Sequence, residues 1–170
     1  HSAGSCEVGG ERLDTIAQLI NQAIDDGAQI ISLSHGASDD SDDLKWAIAR
    51  AVSEGTFVVA SAGNTGRDDN DTHLSRWSGV VGVSAINKDG TFADTSSWGN
   101  GITTAALGDP FTRRDYETGQ NVVTNGTSNS TAITSGMLAL ARQKWPDATA
   151  NQILQVLVAT GLNPNHEWNK

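Results

Sequence analysis

The sequence predicts an α/β fold: a mostly parallel sheet with helices on both faces. Three observations predict it. Residues 29–61 read strand, helix, strand, and two strands joined through a helix lie parallel. Phe57-Val58-Val59-Ala60 is an unbroken apolar run rich in β-branching, the pattern of a strand covered on both sides. After Asn125-Gly126-Thr127-Ser128 a helix-period stretch begins without a break. No internal repeat and no linker interrupts the chain, so a single domain is expected.

The elements follow in order. Residues 1–10 are Gly/Ser-rich and read as a loop. Leu13, Ile16, Ala17, Ile20 and Ile24 have helical spacing, and Gly27 stands where a helix ends in a left-handed residue. Gln29 to Ser34 is a short apolar strand. Asp39, Asp40, Asp42 and Asp43 form a polar turn before a second helix, whose stripe is Leu44, Ile48, Ala51 and Val52 and whose end is Gly55. The strand Phe57–Ala60 runs into Ser61-Ala62-Gly63-Asn64. Val80 to Ser84 is a further strand, and Thr103 to Leu107 a weaker one. Behind Ser128, Ile133, Gly136, Met137, Leu140 and Ala141 recur as one stripe of a helix ending near Trp145-Pro146. Thr149 and Gln152 have capping-box spacing before a last helix carrying Ile153, Val156 and Leu157, with Gly161 and Pro164 as stops.

Composition excludes several function classes. The 170 residues suffice for one domain with a core, and their net charge of −9 argues against a nucleic-acid surface, which needs a basic patch. No run approaches the roughly 18 apolar residues that a membrane-spanning helix requires. Cys6 is the only cysteine, so no internal disulfide forms. The chain begins at His1 with no initiator Met and is expected to be a mature product or a fragment.

The chemistry centres on Ser128. It sits where a loop turns into a helix, and the first turn of a helix has unpaired N–H groups and a positive dipole end. A serine there can attack a carbonyl in a field that favours the resulting oxyanion. Read alone, it is also a good N-cap residue. In open parallel sheets ligands bind beyond the carboxyl ends of the strands, which makes Asn64 and Ser34-His35-Gly36 site candidates. The plainer readings are a Gly-Asn turn and an ordinary strand end.

These stretches together resemble the C-terminal part of a subtilisin-like serine protease. Asn125-Gly126-Thr127-Ser128 resembles the nucleophile motif, Ala62-Gly63-Asn64 the oxyanion-asparagine motif, and Ile31-Ser32-Leu33-Ser34-His35-Gly36 the edge segment that pairs with substrate. Phe92 to Gly99 resembles the family's Phe-Ser-Ser-x-Gly stretch, and Ala106-Leu107-Gly108 its Ala-Pro-Gly. The resemblance implies a three-layer subtilisin-like fold, with residues 1–170 as the C-terminal portion of one peptidase domain. It implies Ser128 as nucleophile and Asn64 as oxyanion donor. Ser34, His35, Gly36, Ala62, Gly63 and Thr127 would line the path of a polypeptide substrate. The Asp and His of the triad would lie in an upstream half, a partner that this chain needs for activity. No cofactor is implied beyond a structural calcium that the sequence does not place, no membrane or nucleic acid is a partner, and secretion is the expected location.

The departures are specific. Asn129 stands where the family has Met, Ala132 stands where it has Pro, and nothing resembling the family's His motif occurs here. A relative that binds peptides without cutting them is therefore an alternative. An α/β-hydrolase esterase is another, because Gly126-Thr127-Ser128-Asn129-Ser130 approaches Gly-x-Ser-x-Gly and Asp147 and His166 follow in that order. Asp68, Asp69 and Asp71 read as a solvated acidic loop, and no metal site is assigned to them.

Overall fold

The computed structural model describes residues 15–34, 41–68 and 74–161. Helix α1, Ile16–Asp25, starts in a capping box: the Thr15 hydroxyl accepts from the Gln18 N–H, and the Gln18 side-chain Oε1 accepts from the Thr15 N–H at 2.7 Å. Strand β1 is Ile30–Leu33. Helix α2, Asp42–Ser53, is capped by Ser41, carries Asp42 and Asp43 in its first turn and Arg50 in its last, and so opposes its own dipole at both ends. Strand β2, Phe57–Ser61, is buried throughout. A 3₁₀ turn at Leu74–Arg76 leads to β3, Val80–Ile86, and then to β4, Ile102–Leu107. Strands β5, Phe111–Arg114, and β6, Asn121–Thr124, precede helices α3, Thr127–Lys144, and α4, Ala150–Ala159.

The sheet runs β1-β2-β3-β4, every pair parallel, with Ile31 beside Val58 and Val59 beside Val81. Alternation along β2 splits the core into two layers. Val58 and Ala60 pack with Ala17, Ile20 and Ile24 of α1 and Leu44, Ala47, Ile48 and Ala51 of α2. Phe57 and Val59 face the other way, with Leu138 of α3 and Ile153 of α4. The structure is therefore helix, sheet, helix, as expected. A fully buried side chain such as Leu44 contributes about 1.5–3 kcal/mol by leaving water. Among the described residues no helix is long and apolar enough to cross a membrane.

Three expectations need correction. On α2, Val52 is 43% exposed and Ala47 takes its place in the core. On α4, Val156 is 52% exposed and only Ile153 is buried. The largest error concerns α3. Of its expected stripe, Met137 and Leu140 are 49% and 66% exposed, and the buried residues are Thr127, Ser130, Thr131, Thr134 and Leu138. The buried face can be a line of small hydroxyls because three of them have hydrogen-bond partners: Thr127 lies 3.3 Å from the Gly63 carbonyl, Ser130 donates to the Ala106 carbonyl at 2.9 Å and Thr131 to the Thr127 carbonyl at 2.7 Å. Ser135, at the border of that face, donates to the Ser32 hydroxyl at 2.9 Å. The antiparallel hairpin of β5 and β6, with Thr112 beside Val123, was not anticipated. Its first strand, Phe-Thr-Arg-Arg, has too little apolar content to signal a buried strand.

Candidate active site

The site forms at the carboxyl ends of β1 and β2, where α3 begins. Gly126 is the N-cap, with φ 133 and no side chain to offer, so Thr127 and Ser128 are the first two helical residues. Ser128 is thus inside the first turn, and the reading of it as a cap is set aside. Gly126 has to be glycine on two grounds. Its φ lies in the region that other residues avoid, and a Cβ there would come within 3.1 Å of the Asn64 amide nitrogen. The Gly126 N–H donates to the Gly108 carbonyl at 3.0 Å. Gly108 also needs its missing side chain, since a Cβ would meet the Ser130 hydroxyl at 2.3 Å.

Asn64 follows β2 and reaches across to this turn. Its Oδ1 accepts from the Thr127 N–H at 2.8 Å and lies 3.0 Å from the Thr127 hydroxyl. A backbone N–H is only a donor, so the oxygen of the Asn64 amide must face Thr127 and the NH₂ group must face away. Among the described residues nothing accepts from Nδ2, and nothing accepts from the Ser128 N–H, an orphan donor of the helix start. The Thr127 hydroxyl also lies 3.3 Å from the Gly63 carbonyl, which ties the two segments together.

Ser128 and Ser34 face each other. The Ser128 Oγ donates to the Ser34 carbonyl at 3.3 Å, and the Ser34 Oγ donates to the Ser128 carbonyl at 3.4 Å. Both contacts are long for O–H···O bonds and are readily exchanged. Ala62, 2% exposed, continues β2 by donating to the Val83 carbonyl at 2.9 Å. Gly63 is buried, with φ 101. The structure thus brings Ser34, Gly63, Asn64, Thr127 and Ser128 together. His35 and Gly36 lie outside the described residues, as do His1, His73 and His166. Asp39, Asp40, Asp69 and Asp71 lie outside them too. Asp68 is exposed, and among the described residues no group of three or more His, Cys, Asp or Glu side chains gathers as a metal would need.

One contributor was missed. Asn129 donates through Nδ2 to the Gly108 carbonyl at 3.1 Å and accepts from the Thr124 hydroxyl at 3.1 Å. It braces the loop entering α3 against the end of β4, so the residue that looked like a departure has structural work. Its sequence signal was its polarity in a first helical turn, which does not name its partners.

A serine in the first turn of an 18-residue helix, with the Ser128 N–H and Asn64 Nδ2 lacking acceptors among the described residues, is chemically able to receive developing negative charge. Residues 4–169 match the subtilase family, Peptidase S8. The chain belongs to the subtilase family. This subtilase is 35% identical over 147 residues to a thermostable alkaline protease of Halalkalibacterium halodurans, covering 86% of this chain and 40% of that protein. It is 28% identical to subtilisin DY of Bacillus licheniformis over 158 residues, covering 91% and 57%. Among solved structures, MycP1 with its N-terminal propeptide removed matches with TM-score 0.76 and 29% identity, over 88% of this chain and 59% of that one. The self-cleaved protease domain of PatA matches with TM-score 0.77 and 25% identity, over 88% and 60%. The subtilase chain therefore spans roughly half the length of these relatives. Membership of this family sets aside the α/β-hydrolase alternative.

Proposed function

We propose that residues 1–170 are the C-terminal portion of one subtilase peptidase domain and supply the nucleophile of a serine endopeptidase. The observation that supports this reading is the Asn64 amide held at its oxygen by the N–H of Thr127, the residue next to Ser128, which leaves Nδ2 without an acceptor among the described residues. In the mechanism, Ser128 Oγ attacks the scissile carbonyl. Its proton passes to a histidine oriented by an aspartate, both contributed by an upstream half of the domain. The Ser128 N–H and Asn64 Nδ2 hold the oxyanion. Removing one such donor costs about 10²–10³ in turnover, a figure that comes from subtilisin itself, a member of this family. The histidine gives that proton to the leaving amine as the C–N bond breaks and the Ser128 acyl ester forms. Water, losing a proton to the histidine, then attacks the ester, and the histidine returns this second proton to Ser128 Oγ as the acid product departs. Substrate lies extended beside Ser34, His35 and Gly36, pairing its main chain with the edge of the sheet, and Ala62, Gly63 and Thr127 border its path. No cofactor takes part. One relative, from Bacillus subtilis, is named a minor extracellular protease, which supports secretion.

The test uses this chain with the upstream half added, covalently or in trans. Ser128→Ala is expected to abolish both hydrolysis of denatured casein and labelling by a serine-directed phosphonate. Residues 1–170 alone are expected to be inactive. Full-rate labelling of the alanine variant would remove Ser128 as nucleophile. Robust cleavage by the isolated chain would remove the upstream histidine. Peptide binding with no cleavage in the reconstituted protein would leave the binding-only alternative.

A further inference from the structure

The stretch Phe92 to Gly99, which resembles the family's Phe-Ser-Ser-x-Gly stretch, lies outside the residues that act on substrate in the proposed reaction. Its two serines, Ser96 and Ser97, are fully buried. Ser97 grips both neighbours of Asn64. Its N–H donates to the Gly63 carbonyl at 2.9 Å. Its Oγ accepts from the Thr65 N–H at 3.2 Å and shares a hydrogen bond with the Thr65 hydroxyl at 2.9 Å. Behind it, the Ser97 carbonyl accepts from the Ser84 hydroxyl at 2.9 Å and from the Ser96 hydroxyl at 3.1 Å, while Ser96 Oγ accepts from the Ala85 N–H at 2.9 Å. A continuous run of hydrogen bonds thus connects the interior of β3 to the residues on either side of Asn64.

Asn64 needs such support. It stands in an exposed loop after β2, and its preceding residue has the left-handed φ of glycine. Among the described residues its side chain is held only at the oxygen end, by Thr127. An oxyanion donor works when its nitrogen is preset within a few tenths of an ångström, because reorganising it during the reaction costs rate. We propose that Ser97 is a positioning residue for Asn64: its hydroxyl holds the Asn64 loop in the orientation that aims Nδ2 beside Ser128. This rests on the reading of Asn64 as an oxyanion donor.

The experiment is a double-mutant cycle in the active protease, this chain together with its upstream half, with turnover normalised to phosphonate-titrated sites. Asn64→Ala is expected to lower kcat about 10²–10³-fold. Ser97→Ala is expected to lower kcat roughly tenfold with KM within about twofold, and to have no further effect on kcat in the Asn64→Ala background. Thr65→Val, at an exposed position, removes one partner of the Ser97 hydroxyl and is expected to cost roughly threefold in kcat, again only while Asn64 is present. It carries the test if Ser97→Ala fails to fold. A large Asn64→Ala effect with a silent Ser97→Ala, or with the same Ser97→Ala loss in both backgrounds, overturns the role of Ser97. An Asn64→Ala variant of unchanged kcat overturns the oxyanion reading itself, and Ser97 with it.

Discussion

The two helical layers bury their sheet faces in different ways. Under α1 and α2 the interface is aliphatic, built from Ala17, Ile20, Ile24, Leu44, Ala47, Ile48 and Ala51. Under α3 it begins as Thr127, Ser130, Thr131 and Thr134 and becomes apolar only at Leu138, further from the site. Non-directional packing holds the first layer and tolerates small rotations of the helix. Hydroxyls bonded to single carbonyls, such as Ser130 to Ala106, hold the second in one rotation and one register. The difference teaches that the layer carrying Ser128 is oriented by directional bonds, while the opposite layer supplies bulk stability.

The largest expected effect tests that division from the apolar side. Leu44→Ala empties a fully buried position and is expected to cost about 2–5 kcal/mol in urea unfolding, with turnover per titrated site unchanged. A parallel fall in turnover per site would show that the two layers are not separable. From the other side, Gly126→Ala forces a side chain into φ 133 and against the Asn64 amide. About 1–3 kcal/mol of strain is expected, together with a turnover loss of the order of 10²-fold, larger than its stability cost alone would suggest.

A smaller effect belongs to Asn129. Asn129→Leu removes the bonds to Gly108 and Thr124, with an expected cost of about 1 kcal/mol and a drop in kcat at constant KM. Asn129→Asp keeps the acceptor for Thr124 and should recover part of that loss; no recovery would mean that side-chain volume, not the bond, is what matters. The smallest effect lies outside both layers, at the turn between β5 and β6. The Asp115 carboxylate accepts from the Thr118 N–H at 2.9 Å, the Thr118 hydroxyl at 2.9 Å and the Glu117 N–H at 3.2 Å, and these bonds hold its pKa below the ordinary Asp value. A depressed carboxylate stabilises the turn above its unfolded pKa, and that support is lost as pH falls through the folded value. An NMR titration of Asp115 should show the low pKa, with loss of Thr118 amide protection at the same pH. An ordinary Asp titration would remove the turn network.

Much of the fold was legible in the sequence by itself. Strand β2 announced a doubly covered parallel sheet through its unbroken apolar run, because a strand buried on both faces has no polar side to show. Helix α1 was legible from its spacing and α4 from its Thr149 and Gln152 cap, since capping and periodicity are local. Ser128 and Asn64 were legible as candidates because glycine-rich turns at strand and helix ends are local too. Their meeting was not. Which atom of the Asn64 amide points outward depends on the Thr127 N–H, 63 residues away in the chain. The buried face of α3 depends on carbonyls such as Ala106, which turn hydroxyl residues into interior ones and leave Met137 and Leu140 outside. The parts that only the tertiary structure decided, Asn129, Ser97 and the hydroxyl face of α3, all rest on directional bonds between distant segments, and a one-dimensional pattern does not encode their partners.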